Sequence, residues 1–371
     1  MSLNFVLIKP SASMEAAKIA NELKTKGQKV YPLSIGDTHF SPPACIKNKF
    51  LSLPPEYSHY SPSLGIKKLR SQIAQTIKGY EFSDVILVPG LKQGLYYILA
   101  LLSGKTICIL EPAWLGYQST ALASGCNTVA INMYNENWLS ILNETKFDAI
   151  IICSPNNPDG KIFSQNEIDF ILDVVKKNDA YIILDSIYDR FDYTRENKYC
   201  INDALADYSR TIICNGFSKS FAMTGFRIGY ILCKNSELIR KIDLIQQTLS
   251  TCVNTFSQYL LLDFEDAKTE IDQYVNYYKE NRDIVLDIFP EWDIFTPQGG
   301  FYFFVNLELY GITDATLFCN KILQSEGVAL VTGAAYGTGF DSYVRVSFSV
   351  DRDLLIEALN ILKTRIQNEK N

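Results

Sequence analysis

Five short, nearly uninterrupted apolar runs, at 85–88, 106–110, 149–153, 181–184 and 211–214, constrain the fold of this chain more than any other feature. Each is only four or five residues long, which suits a strand and is too short for a buried helix. They lack the alternation of a half-exposed strand, so both faces must be covered. Amphipathic helical patterns near 93–102, 116–123 and 166–176 lie between most of them. Strands alternating with helices predict a parallel sheet with helices on both sides. Further helices are expected at 11–27, stopped by Gly27, and at 66–77. A long helical region, 236–288, leads to strand candidates at 292–295, 301–305 and 343–347 and a final helix at 354–365. Segregating strands from helices in this way implies a second, smaller α+β unit.

Length and composition remove several function classes. The 371 residues suffice for a large core and two domains, and 47% apolar with 20% charged residues is the balance of a folded soluble protein. A net charge of −6 opposes nucleic-acid binding. The densest basic cluster, Lys67-Lys68 with Arg70, reads as the solvated face of a helix. No apolar run is long enough to span a bilayer, and no secretory leader pattern opens the chain. The nine scattered cysteines fit reduced, buried thiols and a cytoplasmic location, and neither they nor His39 and His59 have the spacing of metal ligands. No Gly-x-Ser-x-Gly elbow is present, and Ser103-Gly104-Lys105-Thr106 has Leu99 where a phosphate-binding loop needs its first glycine.

In open parallel sheets, ligands bind beyond the carboxyl ends of the strands. Pro89-Gly90-Leu91-Lys92 follows the first apolar run, a glycine turn into a helix start that suits an anion. Trp114 follows the second, and Asn156-Asn157-Pro158-Asp159-Gly160 the third. Asp185 with Tyr188 follows the fourth, and the fifth leads into Gly216-Phe217-Ser218-Lys219. Singly these have ordinary readings. Gly90 and Asn157 belong in turns, Trp114 in a core, and Asp185 at a helix cap. Their coincidence at successive strand ends favours a binding set for a planar, phosphorylated ring.

Lys219 stands among small and apolar residues, where lost solvation frees its neutral amine to form a Schiff base. Arg227, eight residues on, can grip a phosphate through paired hydrogen bonds. A cofactor carrying both an aldehyde and a phosphate satisfies the pair, and pyridoxal 5′-phosphate is such a molecule.

The stretch Ser218-Lys219-Ser220-Phe221-Ala222-Met223-Thr224-Gly225-Phe226-Arg227-Ile228-Gly229 resembles the lysine segment of the class I/II, aspartate aminotransferase-like, fold-type I pyridoxal-phosphate enzymes. The resemblance extends over about residues 15–368. It implies a three-layer αβα large domain, residues 37–265, and a small domain formed by 1–36 together with 266–371. It also implies that Lys219 carries the cofactor and that Arg227, the backbone of Gly90, Leu91 and Lys92, and Ser218 hold its phosphate. Asp185 would pair with the ring nitrogen, Asn157 and Tyr188 would contact the ring hydroxyl, and Trp114 would stack on the ring. Lys219, Asp185 and Tyr188 make up the expected catalytic set. Tyr343-Val344-Arg345-Val346-Ser347 resembles the family segment whose arginine, here Arg345, binds the substrate carboxylate, with Gly36 beside it and Asn157 and Trp114 also facing substrate. Tyr60, in His59-Tyr60-Ser61-Pro62, would reach the phosphate of a second copy in a homodimer. Gly299-Gly300-Phe301-Tyr302 resembles a structural turn of the small domain.

Ser186, Asp159 and Gly216 depart from the family pattern, which more often has glutamate, threonine and a phosphate-binding serine there. The implied reaction is a ping-pong exchange of an amino group between an amino acid and a 2-oxo acid. A C–S β-lyase on the same fold is the alternative.

Overall fold

The computed structural model describes residues 10–194 and 200–369. The ends of the expected small domain, 1–9 and 370–371, and positions 195–199 of the large one lie outside them.

Seven strands build the main sheet: β1 Val85–Val88, β2 Thr106–Glu111, β3 Asn127–Asn132, β4 Ala149–Cys153, β5 Tyr181–Asp185, β6 Thr211–Gly216 and β7 Gly229–Leu232. Their order is β1-β7-β6-β5-β4-β2-β3. Contacts among β2 to β6 are parallel, and β7 runs against both β1 and β6. Every residue of β1, β4, β6 and β7 is buried, as their continuous apolar sequences require. Helices Leu91–Leu101, Gly116–Ala123 and Gln165–Lys177 join these strands. In the last, Ser164 accepts from the Glu167 N–H while Glu167 accepts from the Ser164 N–H, a reciprocal cap that sets its start.

A smaller antiparallel sheet has the order β8-β10-β9, formed by Tyr302–Asn306, Tyr343–Ser347 and Val331–Thr332. The N-terminal segment joins this part through Tyr31, whose N–H donates to Gly327 O and whose carbonyl accepts from the Ala329 N–H.

Three expectations need correction. Residues 292–295 form part of a 3₁₀ turn, Pro290–Phe295, and not a strand. Pro290 has no N–H to give a ladder, and Trp292 is instead fixed by stacking on Phe289 at 4.1 Å and donating to the Tyr310 hydroxyl. The region 236–288 is three helices, Ser236–Leu249, Thr255–Leu260 and Lys268–Ile288, broken where Thr251 and Asp263 adopt left-handed backbone conformations. Arg70 does not face solvent with Lys67 and Lys68. It is buried and donates to the carbonyls of Val85 and Phe82, anchoring its helix, Lys67–Ala74, to β1.

Candidate active site

The carboxyl edge of the parallel sheet gathers the functional side chains. Register places Cys153 beside Asp185 and Asp185 beside Cys214, so the turns after β4, β5 and β6 leave the sheet side by side. They open into a cavity of about 410 Å³, within the usual size of a small-molecule site. Lys219, Asp185, Tyr188, Asn157, Arg227, Ser218, Leu91, Lys92, Trp114, Arg345 and Gly36 all line it. Tyr60 does not: it is 84% exposed.

Lys219 follows β6 by three residues and points its amine across the cavity to the carbonyl oxygen of Gly36, 2.5 Å away. Burial lowers its pKa from 10.5 to about 8, and the charges of Arg345 and Arg227 push in the same direction while Asp37 opposes them. About a tenth of the amine is therefore neutral and nucleophilic at pH 7, far more than for an ordinary lysine.

Asp185 ends β5 and lines the cavity. Burial raises its pKa to about 6, against the pull of donors from Tyr117 and the Ile187 N–H and of the nearby Lys219 charge. Tyr117 donates to Oδ2 at 2.7 Å and the Ile187 N–H to Oδ1 at 3.1 Å. At pH 7 this is a buried anion, suited to pairing with a cationic ring nitrogen.

Opposite it, Arg345 occupies the middle of β10, paired with Phe304 on one side and Val331 on the other. Its Nη2 donates to Ser34 O at 2.6 Å and Nη1 to Asn157 Oδ1 at 3.1 Å. Its guanidinium lies 4.2 Å from the ring centroid of Tyr302 and 5.4 Å from that of Tyr336. Nε is buried without a partner, so the group retains unused donor capacity.

The anion cup forms where β1 turns into helix Leu91–Leu101. Gly90 adopts φ +80, and a Cβ there would lie 2.4 Å from Arg227 Nη2. Without that side chain, the Arg227 guanidinium comes against the open N-terminus of the helix. No side chain caps this terminus, so the N–H groups of Leu91 and Lys92 can receive an anion. Trp114 borders the cup, edge-to-face with Tyr117 at 5.2 Å, and the Lys92 amine lies 5.2 Å from the Trp114 ring centre.

Pyridoxal phosphate fits this donor set, which offers a buried amine, a buried carboxylate, an aromatic face and an exposed arginine at an uncapped helix start. Tyr117 and Tyr302 also line the cavity, and neither is among the site residues expected from the sequence. Tyr117 lies three residues after Trp114, a spacing that puts both near one face of a helix start and offers a usable signal. Tyr302, within a segment that resembles a structural turn, gives no such signal because its partners are far away in sequence.

Residues 28–362 match the family model for aminotransferase class I and II. The chain belongs to this family. An aspartate aminotransferase of Thermotoga maritima is 30% identical, over 94% of this chain and 95% of its own length. A (5-formylfuran-3-yl)methyl phosphate transaminase of Methanocaldococcus jannaschii is 31% identical, over 94% and 95%. Among solved structures, the Thermotoga maritima aspartate aminotransferase superposes with a TM-score of 0.88 at 27% identity, covering 99% of this chain and 100% of its own. Aminotransferases of nearly equal similarity thus differ in named substrate, and the substrate has to be sought in the cavity.

Proposed function

We propose that this chain is a pyridoxal-phosphate-dependent aminotransferase moving an amino group between an amino acid and a 2-oxo acid, with Lys219 as the attachment and proton-transfer residue. The observation that carries this reading is the amine of Lys219, with a pKa of about 8, in one cavity with Asp185, Arg227 and Arg345.

When bound, the cofactor supplies an aldehyde carbon for the amine and a ring that accepts the electron pair left by a departing α-proton. Lys219 would hold it covalently. Arg227, Ser218 and the N–H groups of Leu91 and Lys92 would take the phosphate, and Trp114 would cover one ring face. Asn157 and Tyr188 would face the ring hydroxyl. Asp185 would keep the ring nitrogen protonated, since an anion beside it favours the cationic form. Arg345, with Gly36 alongside, would grip the α-carboxylate, which orients the α-hydrogen towards the amine that Lys219 regains on substrate binding. Positioned proton transfer of this kind contributes roughly 10²–10⁴-fold.

The two sheets support a division into a large domain, 37–265, and a small one of 1–36 with 266–371. The seven-stranded sheet falls within the first, the three-stranded sheet within the second, and Tyr31 bonds to the latter's chain. A second copy of the chain is the expected partner. Leu51 is fully exposed, Tyr60 nearly so, and Phe50, Tyr57 and Leu249 are also exposed, an apolar set that dimerisation would cover. Among the described residues no helix is long and apolar enough to cross a membrane, which is compatible with the proposed cytoplasmic location.

Stopped-flow absorbance with added pyridoxal phosphate and a panel of amino acids tests the proposal. The visible band should be lost on adding a donor and restored by a 2-oxo acid. Failure of the protein to form that band, or an unchanged borohydride-fixed adduct in Lys219→Ala, would refute it.

A further inference from the structure

Tyr302 is almost wholly buried at the start of β8, and the simplest account of it is core packing. Its contacts say more. Its hydroxyl shares a hydrogen bond with the Tyr188 hydroxyl at 3.1 Å, and its ring lies 4.2 Å from the Arg345 guanidinium. Asn157 connects the same two partners from the other side, accepting from Arg345 Nη1 at 3.1 Å and donating through Nδ2 to the Tyr188 oxygen at 3.4 Å. Arg345 can only donate, so it fixes Asn157 Oδ1 towards itself and turns the amide nitrogen to Tyr188. The four residues form a closed circuit. The Tyr302 hydroxyl also sits against Gly36, where a Cβ would come within 2.4 Å of it, and Gly36 O is the acceptor for the Lys219 amine.

We propose that Tyr302 is a positioning residue with two separable roles, its ring orienting Arg345 for the substrate carboxylate and its hydroxyl supporting Tyr188 towards the cofactor's ring hydroxyl. The inference rests on the proposed function and deepens it. A guanidinium held over an aromatic face keeps its plane fixed while its edge remains free for a carboxylate. The hydroxyl acts differently. When Tyr188 turns its own proton to the ring hydroxyl oxygen, Tyr302 is placed to donate to the Tyr188 oxygen at 3.1 Å, beside the longer 3.4 Å donation from Asn157 Nδ2. A donor that itself accepts a hydrogen bond is a stronger donor. Tyr188 then draws negative charge from the ring oxygen more effectively, which lowers the proton affinity of the nearby Lys219–cofactor nitrogen.

The two roles separate in Tyr302→Phe and Tyr302→Leu, each loaded with pyridoxal phosphate. One readout is the pH midpoint of the visible band, which follows protonation of the Lys219–cofactor nitrogen. The other is the apparent Kd for L-aspartate, L-glutamate and L-phenylalanine, whichever the wild type accepts, from the concentration dependence of the first half-reaction. Tyr302→Phe should raise the midpoint by about half a pH unit, the scale of one weakened hydrogen bond, and leave Kd within about twofold. Tyr302→Leu should raise the midpoint similarly and also raise Kd by more than about tenfold. A purely structural tyrosine would lower Tm and the loaded fraction in both variants, with midpoint and Kd unmoved in the protein that loads, and that result would overturn the inference. Should Tyr302→Leu fail to fold, Tyr302→Met takes its place in the Kd comparison, and the Tyr302→Phe midpoint still decides the role of the hydroxyl. A wild type without a visible band refutes the proposed function itself, whereas a normal wild-type band with an unmoved Tyr302→Phe midpoint refutes only the role of Tyr302.

Discussion

Tyr117 donates its hydroxyl to Asp185 Oδ2 across 2.7 Å, joining the helix after β2 to the end of β5 in the cavity wall. Hydrogen bonding to a carboxylate stabilises its charged form, and here it works against burial. Removing the hydroxyl should therefore raise the Asp185 pKa above its value of about 6. Tyr117→Phe is expected to weaken pyridoxal phosphate binding by roughly tenfold at pH 6, since a hydrogen bond to a charged group contributes about 1.5–3 kcal/mol. At pH 9, where Asp185 is largely ionised with or without the hydroxyl, the loss should be smaller. Fluorescence titration of the cofactor-free protein at the two pH values measures this, and an equal loss at both would contradict it.

Without cofactor, Asp185 should cost stability. Burial raises its pKa from 3.8 to about 6, so the folded state binds this proton more tightly than the unfolded chain does. Relative stability is therefore greatest below pH 3.8, declines as pH rises through about 6, and stays low above it. A rise of that size corresponds to about 3 kcal/mol once the group is ionised in both states. Asp185→Asn should raise the urea midpoint of the cofactor-free protein at pH 7.5, with a clearly smaller gain at pH 4.5. The same variant should lose cofactor affinity. A destabilised variant at pH 7.5 would show that Asp185 is already compensated in the cofactor-free fold.

Lys219 predicts the pH dependence of cofactor loading. Only the neutral amine can attack the aldehyde, and a pKa lowered to about 8 places the transition near that pH. The second-order rate of pyridoxal phosphate incorporation should rise about tenfold per pH unit below 8 and level off above it. An ordinary exposed lysine would keep rising to beyond pH 10. Rapid mixing of cofactor-free protein with pyridoxal phosphate across pH 6.5–10 distinguishes the two.

The sequence made the buried strands legible because burial on both faces leaves only apolar residues, as in β4 and β6. It concealed β3, an edge strand with only Ile131 buried, whose polar run lacks that signature. It also concealed β7, four residues beginning at the last glycine of the lysine segment, which pair antiparallel with both neighbouring strands. Residues next to strand ends could be picked out because local order places them there. Tyr302 could not: it meets Tyr188 from 114 positions away, a proximity set by how the small sheet faces the large one. Arg70 escapes its pattern for a related reason. Its acceptors are the carbonyls of Val85 and Phe82, and a backbone acceptor leaves no trace in residue type.

Gly90 separates the demands of folding from those of binding. Its φ of +80 is one that side chains rarely adopt, and an added Cβ would lie 2.4 Å from Arg227 Nη2 and 2.8 Å from its Cζ. With ψ at 153 this is an extended positive-φ conformation almost confined to glycine, so alanine would strain the backbone by about 1–3 kcal/mol, which a chain of this size can absorb. The clash is with the far end of a flexible side chain, so Arg227 can swing away and the fold survives. Swinging away removes the guanidinium from the anion cup. Gly90→Ala should thus melt only a few degrees lower while binding pyridoxal phosphate at least tenfold more weakly. Pyridoxal, which lacks the phosphate, should bind both proteins about equally, because the loss is confined to phosphate contacts. Equilibrium titration with the two compounds tests the assignment of the cup. An equal loss for pyridoxal and its phosphate would place the damage elsewhere in the cavity.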